Sequence, residues 1–246
     1  MNEFEREVAD RVAANATDLP LQAAASEFMM ASFGAKYSYN FSWLGRPVIQ
    51  YPQDIVAMQE LIWTLQPELI IETGIAHGGS LIFSASMLEL NAACGGPADA
   101  KVVGVDIDIR AHNRKAIEAH PMFRRITMVE GSSVAPAVVD AVRAMAAGKK
   151  SVLVCLDSNH THEHVLAELE AYAPMTTVGS YCVVFDTIVE DLPEALSFER
   201  PWGPGDNPKT AARRYLADHP EFEIDHRVDA KTLISVAPHG YLRRVR

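Results

Sequence analysis

Leu69-Ile70-Ile71-Glu72-Thr73-Gly74-Ile75-Ala76-His77-Gly78-Gly79-Ser80 is an apolar, partly β-branched run that ends in an acid and a glycine-rich turn. A run without a polar face predicts a strand buried on both sides, as in a parallel sheet. Residues 80–90 are rich in Leu, Ala and Met and predict a helix. A strand–acid–glycine–helix unit brings backbone close to a ligand and turns the free N–H groups of a helix start toward it. The spacing Glu-x-Gly-x-x-x-Gly-Gly differs from the Gly-x-Gly-x-x-Gly of a dinucleotide phosphate loop. The plain alternative is a βα turn whose glycines serve tight packing alone.

Outward from this unit, strands and helices alternate. Apolar runs at 69–72, 102–107, 126–129, 151–156 and 180–185 predict five strands, with helices at 80–90, 112–120, 134–147 and 164–171 between them. Right-handed crossovers then give a doubly wound α/β sheet, mostly parallel. The tail changes character. Residues 222–227 and 232–237 read as two short strands with no helix between, an antiparallel C-terminal hairpin at the sheet edge. N-terminal helices are expected at 3–16, 21–33 and 52–65, the last with Ile55, Met58, Leu61, Ile62 and Leu65 at helical spacing. An aromatic, polar stretch from Tyr37 to Gly45 separates the second and third. The expected division is a helical extension and cover over 1–66 and a catalytic unit over 67–246.

The bulk numbers exclude several classes. A chain of 246 residues with 48% hydrophobic and 22% charged residues suits one α/β domain with a full core. A net charge of −10 argues against nucleic acid or an anionic membrane as partner. No apolar run reaches the roughly 20 residues that span a bilayer. The first ten residues carry Glu3, Glu5 and Glu7 and no apolar centre, unlike a secretory signal. Cys94, Cys155 and Cys182 lack metal-type spacing, and the latter two sit in strand runs as buried, inert thiols. The expectation is a cytoplasmic protein.

In an open α/β sheet the ligand crevice lies at the carboxyl ends of the strands, and this chain ends its strands in acids. Asp106, with Asp108 as alternate, follows the second strand, where an acid can accept both hydroxyls of a ribose. Glu130-Gly131-Ser132-Ser133 follows the third. Ser132 and Ser133 can face an adenine or cap the next helix. Asp157 and His160 end the fourth strand and Asp186 ends the fifth. Neighbouring strands lie about 4.8 Å apart, so the two acids can converge. Two close carboxylates repel unless a proton or a cation separates them, and oxygen ligands without thiolate favour Mg²⁺. His160 stands near enough to act as a base. His162 and His164 read as structural, because no thiolate completes a zinc set. In the Pro- and Gly-rich segment from Arg200 to Thr210, Asn207-Pro208 signals a helix start, and the loop before it is either a substrate lid or a plain connection.

Taken together, these residues resemble a known family. The segment from Glu72 to Ser80 is similar to the first motif of S-adenosylmethionine-dependent methyltransferases. From Tyr37 onward the chain resembles the cephalosporin hydroxylase and rhamnosyl or macrolide sugar O-methyltransferases. Glu-Thr-Gly-Ile-x-x-Gly-Gly-Ser, Gly-Val-Asp-Ile-Asp, Leu-Asp-Ser-Asn-His-Thr-His-Glu-His-Val, Val-Phe-Asp-Thr and Arg-Pro-Trp-Gly-Pro-Gly-x-Asn-Pro carry the likeness.

The resemblance implies a class I methyltransferase (Rossmann-like) fold, with S-adenosylmethionine and Mg²⁺ as cofactors. Glu72, Gly74, Gly78, Gly79, Ser80, Asp106, Ser132, Ser133 and Asp157 would bind the nucleoside cofactor. Asp157 and Asp186 would hold the metal, and His160 would be the general base of Asp-x-x-His. The family commonly shows two adjacent acids at the fifth strand end, and Phe185 stands in the first of these places. Glu190, Thr187 or water would then complete the metal shell. The expected activity is O-methylation of a small hydroxylated acceptor, a sugar or antibiotic scaffold, by a homo-oligomer. The alternatives are a component of β-lactam hydroxylation or methoxylation, against which no iron set of two His and one carboxylate is visible, and a non-catalytic cofactor-binding partner.

Overall fold

Five runs with no polar face can be buried only between two helical layers, and the computed structural model has this arrangement. It describes every residue except 194, 195 and 197–199. In chain order the helices and strands are α1 (Glu3–Asn15), α2 (Leu19–Gly34), β1 (Phe41–Trp43), β2 (Arg46–Val48), α3 (Pro52–Leu65), β3 (Leu69–Thr73), α4 (Gly79–Ala93), β4 (Lys101–Asp106) and α5 (Ala111–Glu118). They continue with β5 (Ile126–Glu130), α6 (Pro136–Ala146), β6 (Val152–Leu156), α7 (His162–Tyr172), β7 (Tyr181–Val184), α8 (Pro208–Asp218), β8 (Phe222–Ile224), α9 (His226–Thr232) and β9 (Tyr241–Arg244).

The main sheet runs β5-β4-β3-β6-β7-β9-β8. Its first five strands are parallel, whereas β9 is antiparallel to both β7 and β8. Side chains alternate across it with period two. Ile70, Val102, Leu153 and Val183 meet Met58 and Ile62 of α3, Leu81 and Leu88 of α4 and Ile117 of α5. Leu69, Ile71, Val103 and Val154 meet Val142 of α6, Leu169 and Tyr172 of α7 and Tyr215 of α8. The sheet is therefore doubly wound, mostly parallel and closed by antiparallel strands, the class I methyltransferase arrangement. Cys155 and Cys182 are buried free thiols, as expected.

Two local expectations are corrected. The C-terminal hairpin exists, but its second strand is β9 rather than 232–237, and α9 lies between the strands. Asp225 starts that helix, its side chain accepting from the Arg227 N–H at 3.1 Å, so the β-branched residues after it never reach the sheet. The helix expected from 134 starts at Pro136 with Ala135 as its cap and no capping side chain. Ser132 and Ser133 therefore do not cap it. The Ser133 hydroxyl instead lies 3.1 Å from His164 Nε2.

Asp54 on α3 fastens the tail. Fully buried, it accepts from the Ser235 hydroxyl at 2.6 Å and the Val236 N–H at 3.0 Å. Burial raises its carboxyl to about 7 despite these donors.

Candidate active site

From β3 the chain winds through β4 and β5 to one side, and β6 and β7 lie on the other. The order reverses between β3 and β6, and a crevice opens at such a switch point beyond the strand ends. Gly74 stands there with φ +91°, and a Cβ on it would lie 1.9 Å from the Asp157 carbonyl oxygen. Its hydrogen lets the two strand tips touch, and the Asp157 N–H donates to the Thr73 carbonyl at 2.9 Å. A Cβ on Gly79 would fall 2.0 Å from the Pro47 carbonyl oxygen, so the β1–β2 hairpin rests on the start of α4. Packing thus explains both glycines locally. The packed backbones also form the floor of the crevice.

Glu72 is 4% exposed and accepts from the Ser80 hydroxyl. Burial outweighs that bond and lifts its carboxyl to about 7. Asp106 holds the glycine turn: its Oδ2 accepts from the Ile75 and Ala76 N–H groups at 2.8 and 3.1 Å. Its Oδ1 accepts from the Asp108 N–H at 3.0 Å. Asp108 itself is exposed beyond the strand end. The turn is fixed from its other side by Arg46 and Asn113, which donate to the His77 and Ala76 carbonyls at 3.0 and 2.9 Å.

Asp157, His160 and Asp186 do converge, with one potential ligand atom from each within 4.8 Å of the others. His160 Nε2 is 3.1 Å from Asp186 Oδ2. Burial, then the nearby Asp186 and Glu72, drive the Asp157 carboxyl well above the usual carboxylate range. Asp186 has φ +54°, the left-handed region that a non-glycine residue adopts at a cost. Two acids and an imidazole facing one point can hold a hard cation or move a proton.

The candidates for a third oxygen ligand are turned away. Phe185 is packed in the core against α3 and α4, on the face opposite Val184. It is not an open ligand position. Glu190 Oε2 accepts from the Gly205 N–H at 2.7 Å and the Asn207 side-chain amide at 2.5 Å. The Thr187 hydroxyl donates to the Pro238 carbonyl at 2.8 Å. Asn207 caps α8 with Pro208 in its first turn, as the sequence predicts.

Two cavities meet at the acid–imidazole cluster. One, of about 230 Å³, is lined by Gly74, Gly79, Ser80, Gln50, Asp157 and Asp186, among others. The other, of about 450 Å³, is lined by Lys36, Tyr39, His160, Leu192, Arg200 and Trp202, among others. Phe33, Ser38, Tyr39, Ser158, His160 and Asp186 belong to both. The Trp202 ring stands edge-on to His160 at 4.8 Å between centroids. His162 and His164 make hydrogen bonds within the fold. His162 Nδ1 lies 2.8 Å from the Thr210 hydroxyl, and His164 Nε2 lies between the Ser133 and Ser158 hydroxyls.

Gln50 carries no signal in the sequence. Its amide donates to Asp157 Oδ2 at 3.3 Å, while its Oε1 is buried with no hydrogen-bond partner among the described residues. Tyr39 belongs to the aromatic stretch within the expected cover, and Lys36 was not singled out; the fold brings both above the strand ends.

Fold and site together define a class I methyltransferase. Residues 35–245 match the model of the rhamnosyl O-methyltransferase/CmcI family, to which the chain belongs. It is 30% identical to the rhamnosyl O-methyltransferase of Mycobacterium tuberculosis (strain ATCC 25618 / H37Rv), over 92% of this chain and 86% of that one. It is 29% identical to that of Mycobacterium leprae (strain TN), over 92% of each. Of solved structures, CmcI with Mg and SAM superposes with a TM-score of 0.57 at 19% identity, covering 85% of this chain and 78% of that one. MycE from the mycinamycin biosynthetic pathway, in complex with Mg and SAH, gives 0.51 at 15% identity, covering 89% and 55%. At these identities the structural matches speak for the fold.

Proposed function

We propose that this chain transfers the methyl group of S-adenosylmethionine to a hydroxyl of a small polar acceptor, with the aid of a divalent cation of the Mg²⁺ class. The observation that carries this reading is the placement of Asp157, His160 and Asp186 in the wall between two cavities. One cavity has the glycine turn as its floor and the other is open to an acceptor.

The residues present fit both groups. Asp157 and Asp186 offer oxygen to a hard cation, and their mutual repulsion is what such an ion relieves. Gln50 Oε1 is a buried acceptor awaiting a donor, such as the ammonium of the methionine part. Glu72 and Ser80 on one side and Asp106 or Asp108 on the other would hold the rest, with Ser132 and Ser133 toward the adenine. Bound S-adenosylmethionine supplies an electrophilic methyl group, and Mg²⁺ supplies acidification of a hydroxyl it touches. His160, 15% exposed and set edge-on to Trp202, would take the acceptor's proton. Its Nε2, 3.1 Å from Asp186, would be free for this once Asp186 is turned to the cation.

The acceptor side combines apolar and aromatic surface from Phe33, Leu192 and Trp202 with Lys36 and Arg200. That mixture suits a ring-bearing, hydroxylated molecule with an anionic or strongly polar edge. Residues 1–66 supply Phe33, Lys36, Ser38 and Tyr39 and would act as the cover; assembly into a homo-oligomer is part of the same proposal. Two rhamnosyl O-methyltransferases among the relatives and a mycinamycin-bound form of MycE support a sugar or natural-product scaffold.

The test is incubation with labelled S-adenosylmethionine, Mg²⁺ and a panel of glycosides and antibiotic scaffolds, with and without EDTA. Label transfer that EDTA abolishes is expected. Transfer indifferent to EDTA would reassign Asp157 and Asp186 to substrate binding, and transfer to no acceptor would favour a cofactor-binding partner.

A further inference from the structure

A second cluster lies away from the methyl-transfer site. Its members lie within fourteen residues of one another. His226 and Asp229 lie on α9, and His239 sits in the connection to β9. One ligand atom of each is within 4.8 Å of the others. The two imidazoles share one carboxylate oxygen: Asp229 Oδ2 is 3.3 Å from His226 Nδ1 and 3.7 Å from His239 Nε2. The two nitrogen–oxygen separations each subtend about 100–125° at an ion about 2.1 Å away, angles compatible with a tetrahedral site.

The backbone holds this geometry at a cost. His239 has φ +64°, a conformation unfavourable for its side chain. The other oxygen of Asp229, Oδ1, accepts from the His239 N–H at 2.9 Å, which fixes the loop and leaves Oδ2 to the imidazoles. A surface ion pair needs neither the strain nor the second imidazole.

The cluster opens onto a separate cavity of about 640 Å³, whose far wall includes Gln22, Ser26 and Met29 of α2. Three protein ligands facing free space leave room for water or a substrate atom in the remaining coordination positions. Asp191, which lines the same cavity, is paired with Lys209. Two nitrogens and one oxygen suit a borderline cation better than Mg²⁺, which takes oxygen.

We propose that His226, Asp229 and His239 form a second metal site that takes a borderline divalent cation of the zinc class, with an open position toward the cavity beneath α2. This site is independent of the Asp157–His160–Asp186 cluster. No set of two His and one carboxylate was singled out in the sequence, and the fold assembles one from residues three to thirteen apart.

The experiment uses the full chain freed of metal and titrated with Co²⁺, a spectroscopic stand-in for Zn²⁺, in excess Mg²⁺ to occupy the oxygen-rich site. Visible absorption reads the binding. The expected result is one equivalent of Co²⁺ with nitrogen-type d–d bands, retained by Asp157→Asn and lost in His226→Ala/His239→Ala. His226 is 66% exposed and His239 44%, so these substitutions leave the core intact; His226→Gln alone serves where the pair does not fold. Zn²⁺ should displace the Co²⁺ and should raise the melting temperature of the wild type but not of the His variants. A His226→Ala/His239→Ala protein that binds Co²⁺ with wild-type stoichiometry and spectrum overturns the proposal. So does a wild type that binds none. Neither result touches the methyl-transfer reading, which rests on other residues.

Discussion

Replacing Glu72 by glutamine keeps the shape of the side chain and removes its charge. In the folded chain burial raises the carboxyl from 4.5 to about 7, against the pull of the Ser80 hydroxyl. Between those values the unfolded chain has lost the proton and the folded chain keeps it. Folding there takes up a proton, so stability falls as pH rises, by the sign of proton linkage. The contribution is intact below about 4.5 and fully lost above about 7. The gap of about 2.5 pH units corresponds to roughly 3 kcal/mol at 1.36 kcal/mol per unit.

A glutamine carbonyl can still accept from Ser80, so most of this should be recovered. Glu72→Gln is therefore expected to be about 2–3 kcal/mol more stable than wild type near pH 8, or roughly 5–10 °C in Tm for a chain of this size. The two proteins should converge below about pH 4.5. Denaturant unfolding of the metal-free proteins across this range is the assay, with calorimetric S-adenosylmethionine binding beside it. A destabilising acid kept at a strand tip is the mark of a functional group, so the stabilised variant should bind the cofactor more weakly. Equal stability near pH 8 with an unchanged pH slope would refute the burial argument. A stabilised variant with unchanged affinity would take Glu72 out of the cofactor site.

Three further outcomes follow from the geometry. His160→Ala should slow methyl transfer by about 10²–10⁴-fold if it is the general base, with Mg²⁺ affinity nearly unchanged; a rate within a few-fold of wild type would transfer the role elsewhere. Gly74→Ala puts a Cβ 1.9 Å from the Asp157 carbonyl at a positive φ. The backbone conformation alone costs about 1–3 kcal/mol, and the shift of Asp157 should weaken Mg²⁺ as well, so a wild-type melt and Mg²⁺ titration would contradict the close approach. Trp202→Ala removes the ring set against His160 and lining the larger cavity. It should raise the acceptor KM at least several-fold and leave S-adenosylmethionine binding unmoved, whereas an unchanged KM would place the acceptor elsewhere.

The parallel strands were legible because burial on both faces removes every polar residue from the run. Their tips were legible because an acid there breaks the pattern. The face of Phe185 was also open to inspection. Counting by twos from Val183, in the core against α3 and α4, puts Phe185 on the same side, and period-two reasoning would have excluded it as a ligand. The end of the chain was harder. Thr232 to Ala237 has the apolar, partly β-branched look of a strand, but the preceding Asp225 cap commits the chain to a helix and moves the final strand to Tyr241. Local propensity lost there to a cap and a tertiary anchor, the pairing of Ser235 and Val236 with buried Asp54. Gln50 had no local signature, because its chemistry arises only when distant segments are folded together; His226 and Asp229 share a helix at i,i+3, and the connection after α9 brings His239 to them.

The Asp157–His160–Asp186 cluster joins two features that destabilise the fold. Asp157 is a half-buried, desolvated acid beside another acid, and Asp186 sits in a left-handed conformation. Neither serves packing. Strain of this kind persists only where the surroundings fix the backbone. The residues after Asp186 are fixed: the Thr187 hydroxyl donates to the Pro238 carbonyl and the Ile188 N–H to the Val236 carbonyl at 3.1 Å. Those partners belong to the connection between α9 and β9, which Asp54 anchors from α3. The C-terminal segment thus does more than close the sheet edge. It holds Asp186 in position opposite Asp157, and the same connection carries His239 to the second cluster. An anchor shared by both clusters is a physical reason for the polar, fully buried Asp54 in the first turn of a helix whose buried face is otherwise apolar.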